Sequence, residues 1–179
     1  MFVLTVPLQA DDHAIGPADA PVSVVEYGDF ECPNCKQAAP AVKLLLRHFS
    51  DRVRFVYRHF PLEEVHPHAV QAAEAAEGAS EQGKFWPMHD LLFDNQANLM
   101  LPQLQNYAAR LSLDPASYAT AMEEHRHLPR IRAQMQSGRD SGCRHTPTFF
   151  VDGKIQDVSF GLRALFDAVE ASLRTTNQA

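Results

Sequence analysis

The sequence predicts an α/β fold in which a βαβ unit and a ββα unit share one sheet, with an all-helical block inserted between them. Three observations carry this expectation. Two short β-branched runs, 21–27 and 53–60, flank a stretch whose apolar residues recur at helical spacing. Asp152-Gly153 stands between two apolar runs near the C-terminus, a strong hairpin signal. Between these units, residues 66–141 show helical periodicity throughout. Neither unit alone holds enough apolar surface to fold, so the two must form one interrupted domain. The expected division is a core of 1–65 and 142–179, including an N-terminal arm, and a helical subdomain of 66–141.

The elements follow in order. Met1 to Leu8 is apolar and is read as a surface strand. Pro7 interrupts it, no Lys or Arg precedes Lys36, and the run is too short for a secretory signal or a membrane span, so a cytoplasmic protein is expected. Pro21 to Tyr27 (PVSVVEY), closed by Gly28-Asp29, reads as a buried strand in which Glu26 is anomalous. Pro33 to Phe49 reads as a helix with Pro33 in its first turn, and Pro40 should kink that helix without ending it, because apolar spacing continues on both sides. Val53 to Phe60 alternates Val53, Phe55 and Tyr57 against Arg54 and Arg58, a second strand.

The helical block opens at His66-Pro67-His68, read as a helix start. Helices are expected over 69–82, 85–95 and 104–111, then from Asp114-Pro115 to about Arg139 with a break at Leu128-Pro129. Strands at 148–151 and 155–158 and a helix over 162–174 complete the chain.

Composition narrows the function. The 179 residues are 45% hydrophobic and 21% charged, with a formal net charge of −6. That deficit of positive charge argues against nucleic acid or anionic lipid as partner. Three cysteines are too few, and odd in number, for a disulfide-stapled fold, so they are read for chemistry.

Cys32-Pro33-Asn34-Cys35 lies where a strand gives way to a helix, and the spacing of three puts both sulfurs on one helical face within bridging reach. Cys32, at the helix N-terminus, is the expected nucleophile, because unpaired N–H groups and the helix dipole stabilise a thiolate there. Cys35, one turn in, should be more buried and should attack Cys32 to release a partner held as a mixed disulfide.

Phe30-Glu31-Cys32-Pro33-Asn34-Cys35 after a strand, with Thr146-Pro147-Thr148-Phe149-Phe150 opening the final hairpin, resembles the DsbA-like branch of the thioredoxin superfamily. The resemblance covers roughly 21–174. It implies a thioredoxin fold with a helical insertion, and a thiol-disulfide oxidoreductase acting on protein or peptide thiols without an external cofactor. It implies that Pro147 is a cis-proline packed against the cysteines and that the Thr146 backbone pairs with substrate. It matches Glu26 to the buried acid that exchanges the proton of the second cysteine, and Pro40 to a helix kink. The strongly oxidising periplasmic members carry His where this chain has Asn34, so Cys32 is expected to be less acidic than theirs. A monomer is expected; the redox partner and the net direction are not encoded.

Other readings stand beside these. Cys32 and Cys35 could form half of a zinc site with Cys143 and a histidine, but the strand-to-helix position and Pro147 favour redox chemistry, and no metal is assigned. Glu26 could be a core carboxylate paired with Lys36 or an arginine. Cys143 reads as a packing residue, with a third redox thiol as its sharper alternative. His145 stands where the family has a small residue. His66 and His68 lack a third ligand, His125 and His127 read as solvated, and Trp86 as core of the helical block. A glutathione-dependent transferase or isomerase on this scaffold is the alternative activity, disfavoured by Cys35; a redox-silent peptide-binding module is the third.

Overall fold

A computed structural model describes residues 2–158 and 161–176. The elements are β1 (His13–Ile15), β2 (Val22–Gly28), α1 (Pro33–Phe49), β3 (Val53–His59), α2 (Ala69–Ser80), α3 (Phe85–Asp94), α4 (Leu101–Arg110), α5 (Pro115–Glu123), α6 (Leu128–Asp140), β4 (Thr148–Val151), β5 (Lys154–Gln156) and α7 (Arg163–Thr176). The strands form one sheet in the order β1-β3-β2-β4-β5. Among the described residues, β2 and β3 are the one parallel pair, joined by the α1 crossover; the other pairs are antiparallel. The chain thus makes the mixed α/β thioredoxin fold, and α2 to α6 intervene between β3 and β4. No helix among the described residues is long and apolar enough to cross a membrane.

The central strands are buried on both faces, which is why 22–27 and 53–57 read as apolar runs. On one face, Val22, Val24, Phe55 and Phe149 pack with Cys35, Ala38, Val42, Leu45 and Phe49 of α1 and with Leu165, Val169 and Leu173 of α7. On the other, Val25, Tyr27, Val56 and Phe150 meet Ile131 and Met135 of α6. Six of the nine buried residues of helix α2 are alanine, small enough to let it approach its neighbours closely. Pro40 lies inside α1 without ending it. Gly153 takes φ +74° in the turn from β4 to β5, the left-handed conformation that a side chain disfavours.

Several boundaries differ from expectation. Helix α4 begins at Leu101, because Pro102 suits its first turn and Met100 supplies the extended residue before it. The 2–8 segment is not a strand: it makes one bridge, Val3 to Lys154, and the arm's strand is His13–Ile15. The reason is Arg58, which alternates with the apolar residues of its strand and is nonetheless 2% exposed. Its guanidinium donates to the Val6 and Pro7 carbonyls at 2.8 Å each, to both carboxylate oxygens of Asp12 at 3.0 and 2.8 Å, and to the Tyr27 hydroxyl at 3.2 Å. Those carbonyls bond the arm to a side chain instead of a neighbouring strand.

Candidate active site

The site forms where β2 ends and α1 begins. Cys32 is the residue preceding the helix, with extended backbone (φ −74°, ψ 121°), and Pro33 occupies the first turn. No side chain caps this end, so the first N–H groups of α1 remain available to a negative charge. All three cysteines are free thiols. Cys32 is 4% exposed and Cys35 fully buried, in the order expected from their positions.

The two thiols are driven apart in acidity. Cys32 is lowered to about 5, first by its hydrogen bond with Cys35, with burial opposing and the Asn34 and Cys35 amides assisting. Cys35 is raised well above the ordinary thiol range by burial, then by its hydrogen bond to Cys32 and the nearby Glu26 charge. Glu26 is raised to about 8 by burial and by the Cys32 charge. It pairs in register with Tyr57 on one side and Phe149 on the other. Cys32, Cys35 and Glu26 therefore form one electrostatically coupled group. Glu26 has no lysine or arginine among its causes of shift, so the core ion-pair reading with Lys36 finds no support in the electrostatics.

Across from α1, the loop before β4 brings Thr146 and Pro147, joined by a cis peptide bond, to the cysteines. Cys32 Sγ lies 3.3 Å from the Thr146 carbonyl. A cavity of about 510 Å³ opens beside them, lined by Asn34, Gln37, His145, Thr146, Pro147 and Leu162. Of the expected site residues, Asn34, Thr146 and Pro147 thus line one cavity, Thr146 also contacts Cys32, and Pro33 stands in the first turn of α1.

Other residues of the site escaped the sequence reading. Asp29 accepts from the Glu31 amide at 2.8 Å, the Leu62 amide at 2.8 Å and His66 Nδ1 at 2.7 Å. Its own amide donates to Cys35 Sγ at 3.5 Å. Gln96, between α3 and α4, donates to the carbonyls of Phe30 and Cys32 at 2.8 Å each. Glu31 accepts from the His68 amide at 2.6 Å. Asp29 had a sequence signal, since an Asp just after a strand commonly accepts from the amide two residues on. Gln96 had none. Gly28 is required because a Cβ there would lie 2.5 Å from the Tyr57 ring.

The remaining polar candidates have ordinary partners. His66 bonds Asp29 and His68 lies 3.0 Å from Gln71. His125, expected to be solvated, is exposed but bonds the buried Glu74 at 3.0 Å. Cys143 is buried among Val25, Tyr27 and Phe150, on the sheet face away from Cys35, and burial pushes its thiol up to about 11. Among the described residues, His13, His59 and Glu77 are grouped closely enough to suggest metal ligands. Glu77 Oε1 however already accepts from both histidines and, at 3.0 Å, from Arg130, whose cation stands where a metal's charge would act.

The thioredoxin family model matches residues 9–171. The chain belongs to the thioredoxin family. Like this thioredoxin-family chain, BdbD from Bacillus subtilis has the fold, with a TM-score of 0.82 at 21% identity, covering 91% of this chain and 93% of that one. A thioredoxin-like oxidoreductase from Silicibacter pomeroyi DSS-3 aligns with a TM-score of 0.80 at 24% identity, over 96% of this chain and 95% of that one. In sequence, the Na(+)/H(+) antiporter NhaA 1 of Salinispora arenicola is 47% identical over 97% of this chain, which corresponds to 26% of that protein. The thioredoxin-family chain spans about a quarter of the length of such curated relatives.

Proposed function

We propose that this chain is a DsbA-like thiol-disulfide oxidoreductase acting on protein or peptide thiols through Cys32 and Cys35. The observation that carries the reading is the opposed acidity of the pair, with Cys32 lowered to about 5 and Cys35 raised. At pH 7 such a Cys32 is about 99% thiolate, against a few per cent for an ordinary thiol. Cys32 attacks a client disulfide and forms a mixed disulfide. Cys35 then gives its proton to ionised Glu26, attacks Cys32 Sγ, and the client sulfur leaves as a thiolate. The reverse sequence oxidises a client dithiol. Pro33 and Asn34 shape the start of α1, while Thr146 and Pro147 present the backbone and wall against which a client strand lies.

The redox-active disulfide is the only cofactor this mechanism needs. Clients carry thiols or disulfides, and the chain works as a monomer. A cytoplasmic placement would keep the pair reduced and favour a reductase or isomerase role. The names of the curated relatives add a membrane antiporter to the partners worth testing. Replacing Cys35 with Ser and identifying proteins trapped on Cys32 tests the whole reading; an empty trap overturns it. Cys35 also weighs against a glutathione-dependent transferase, and an ordinary alkylation profile for Cys32 would favour a redox-silent peptide binder.

A further inference from the structure

The backbone between β2 and α1 belongs to neither element, so its polar groups need other partners. Two side chains supply them: Gln96 takes the Phe30 and Cys32 carbonyls, and Asp29 takes the Glu31 amide. The segment also reaches outward, with Asp29 accepting from the Leu62 amide and His66 and Glu31 from the His68 amide. The Asp29 side chain is fully enclosed. Its carboxylate is held from within its own turn by Glu31, and from the segment after β3 by Leu62 and His66. The Asp29 carbonyl also accepts from the Cys32 amide at 3.2 Å. The peptide unit that carries the Asp29 N–H is held at its other edge as well, where the Gly28 carbonyl accepts from the Phe60 amide at 2.8 Å, and the N–H is directed at Cys35 Sγ 3.5 Å away.

We propose that Asp29 is a positioning residue for Cys35, held by His66, and that the two set the rate at which Cys35 closes on Cys32. The proposal rests on the dithiol reading above. In the closing step the Cys35 S–H bond breaks and its proton passes to Glu26. The sulfur attacks Cys32 Sγ, the Cys35–Cys32 bond forms, and the bond from Cys32 to the client breaks with the client sulfur taking the electron pair. As the Cys35 thiolate develops, the Asp29 N–H bond to it becomes charge-assisted, and its strength depends on alignment. The carboxylate of Asp29 acts in the opposite sense, because a nearby negative charge disfavours a second one. Position and charge therefore predict opposite signs for removal of the side chain.

The test forms a glutathione mixed disulfide on Cys32 and measures release of glutathione as Cys35 closes. Asp29→Ala and His66→Phe should slow closure on the order of tenfold, the scale of a hydrogen bond to a charged group. His66→Asn keeps an N–H donor near the position of Nδ1 and should stay within about twofold of the parent. Alkylation of Cys32 should change little in all three. Unchanged or faster closure in Asp29→Ala overturns the proposal, as does an equal loss in Cys32 alkylation, which would mark general loosening. If Asp29→Ala fails to fold, equal closure rates in His66→Phe and His66→Asn overturn it. A parent chain that forms no mixed disulfide overturns the dithiol reading itself; normal attack with closure indifferent to these residues overturns the positioning role alone.

Discussion

Glu26 and Tyr57 lie side by side on neighbouring strands, both buried, and the Tyr57 hydroxyl finds no hydrogen-bond partner among the described residues. The pair surrounds the cysteines with groups that resist ionisation: burial raises Glu26 to about 8 and holds Tyr57 well above its ordinary value. A carboxyl in this setting is neutral at mild acidity, so it accepts a proton from Cys35 only in its ionised form, whose share grows as pH rises toward 8.

The first prediction concerns Glu26 and stability. Its value is about 4.5 in the unfolded chain and about 8 in the folded one, so the folded state binds more protons between those limits. Stability therefore falls as pH rises through this window. Glu26→Gln removes the dependence. Urea unfolding of the reduced proteins should show the variant more stable by about 2 kcal/mol or more at pH 8.5, with the advantage vanishing near pH 4.5. The same variant should slow closure by Cys35, because its proton acceptor is gone.

The second prediction concerns Cys32. Iodoacetamide alkylation should follow a midpoint near 5, whereas Cys143, buried and raised to about 11, should react only after unfolding. A stabilised thiolate favours the dithiol over the disulfide, so the pair should be oxidising relative to an ordinary one. Asn34 stands in the first turn of α1 and carries no charge. Asn34→His adds a cation there, and equilibration with glutathione should show a potential higher by about 30 mV or more.

The third prediction concerns Arg58. Arg58→Ala would leave Asp12 buried without its cation and release two arm carbonyls. Removing one partner of a buried pair costs about 3–5 kcal/mol. Denaturant unfolding should show that loss, and limited proteolysis should cut within the first dozen residues of the variant before the parent is touched.

What the sequence carried and what it did not divides along the range of the interactions. Helix α1 was legible from Pro33 to Phe49 because its signals, a first-turn proline and apolar spacing, are local. The turn at Asp152-Gly153 was legible for the same reason. Cys32 and Cys35 were legible as a pair from their spacing of three, whereas Pro147 was joined to them only through resemblance to a family, since nothing local connects residues so far apart. The burial of Arg58 was not legible, because strand alternation assigns a face without knowing that the arm folds over it. Asp29 looked like a strand terminator, and its bonds to Leu62 and His66 lie beyond any local pattern. Gln96 depends on where the insertion turns back toward the cysteines, which its own neighbourhood does not encode.

The sheet order has a consequence during synthesis. Strand β4 is the neighbour of β2, yet the whole helical insertion is translated between them. At about 5–20 residues per second, β2, α1 and both active-site cysteines leave the ribosome seconds before the strand that covers Glu26. For that interval the thiols exist without Thr146, Pro147 or the buried surroundings that set their acidity. A nascent chain of this protein exposes a bare dithiol, open to oxidation by whatever disulfides it meets before the rest of the domain closes over it.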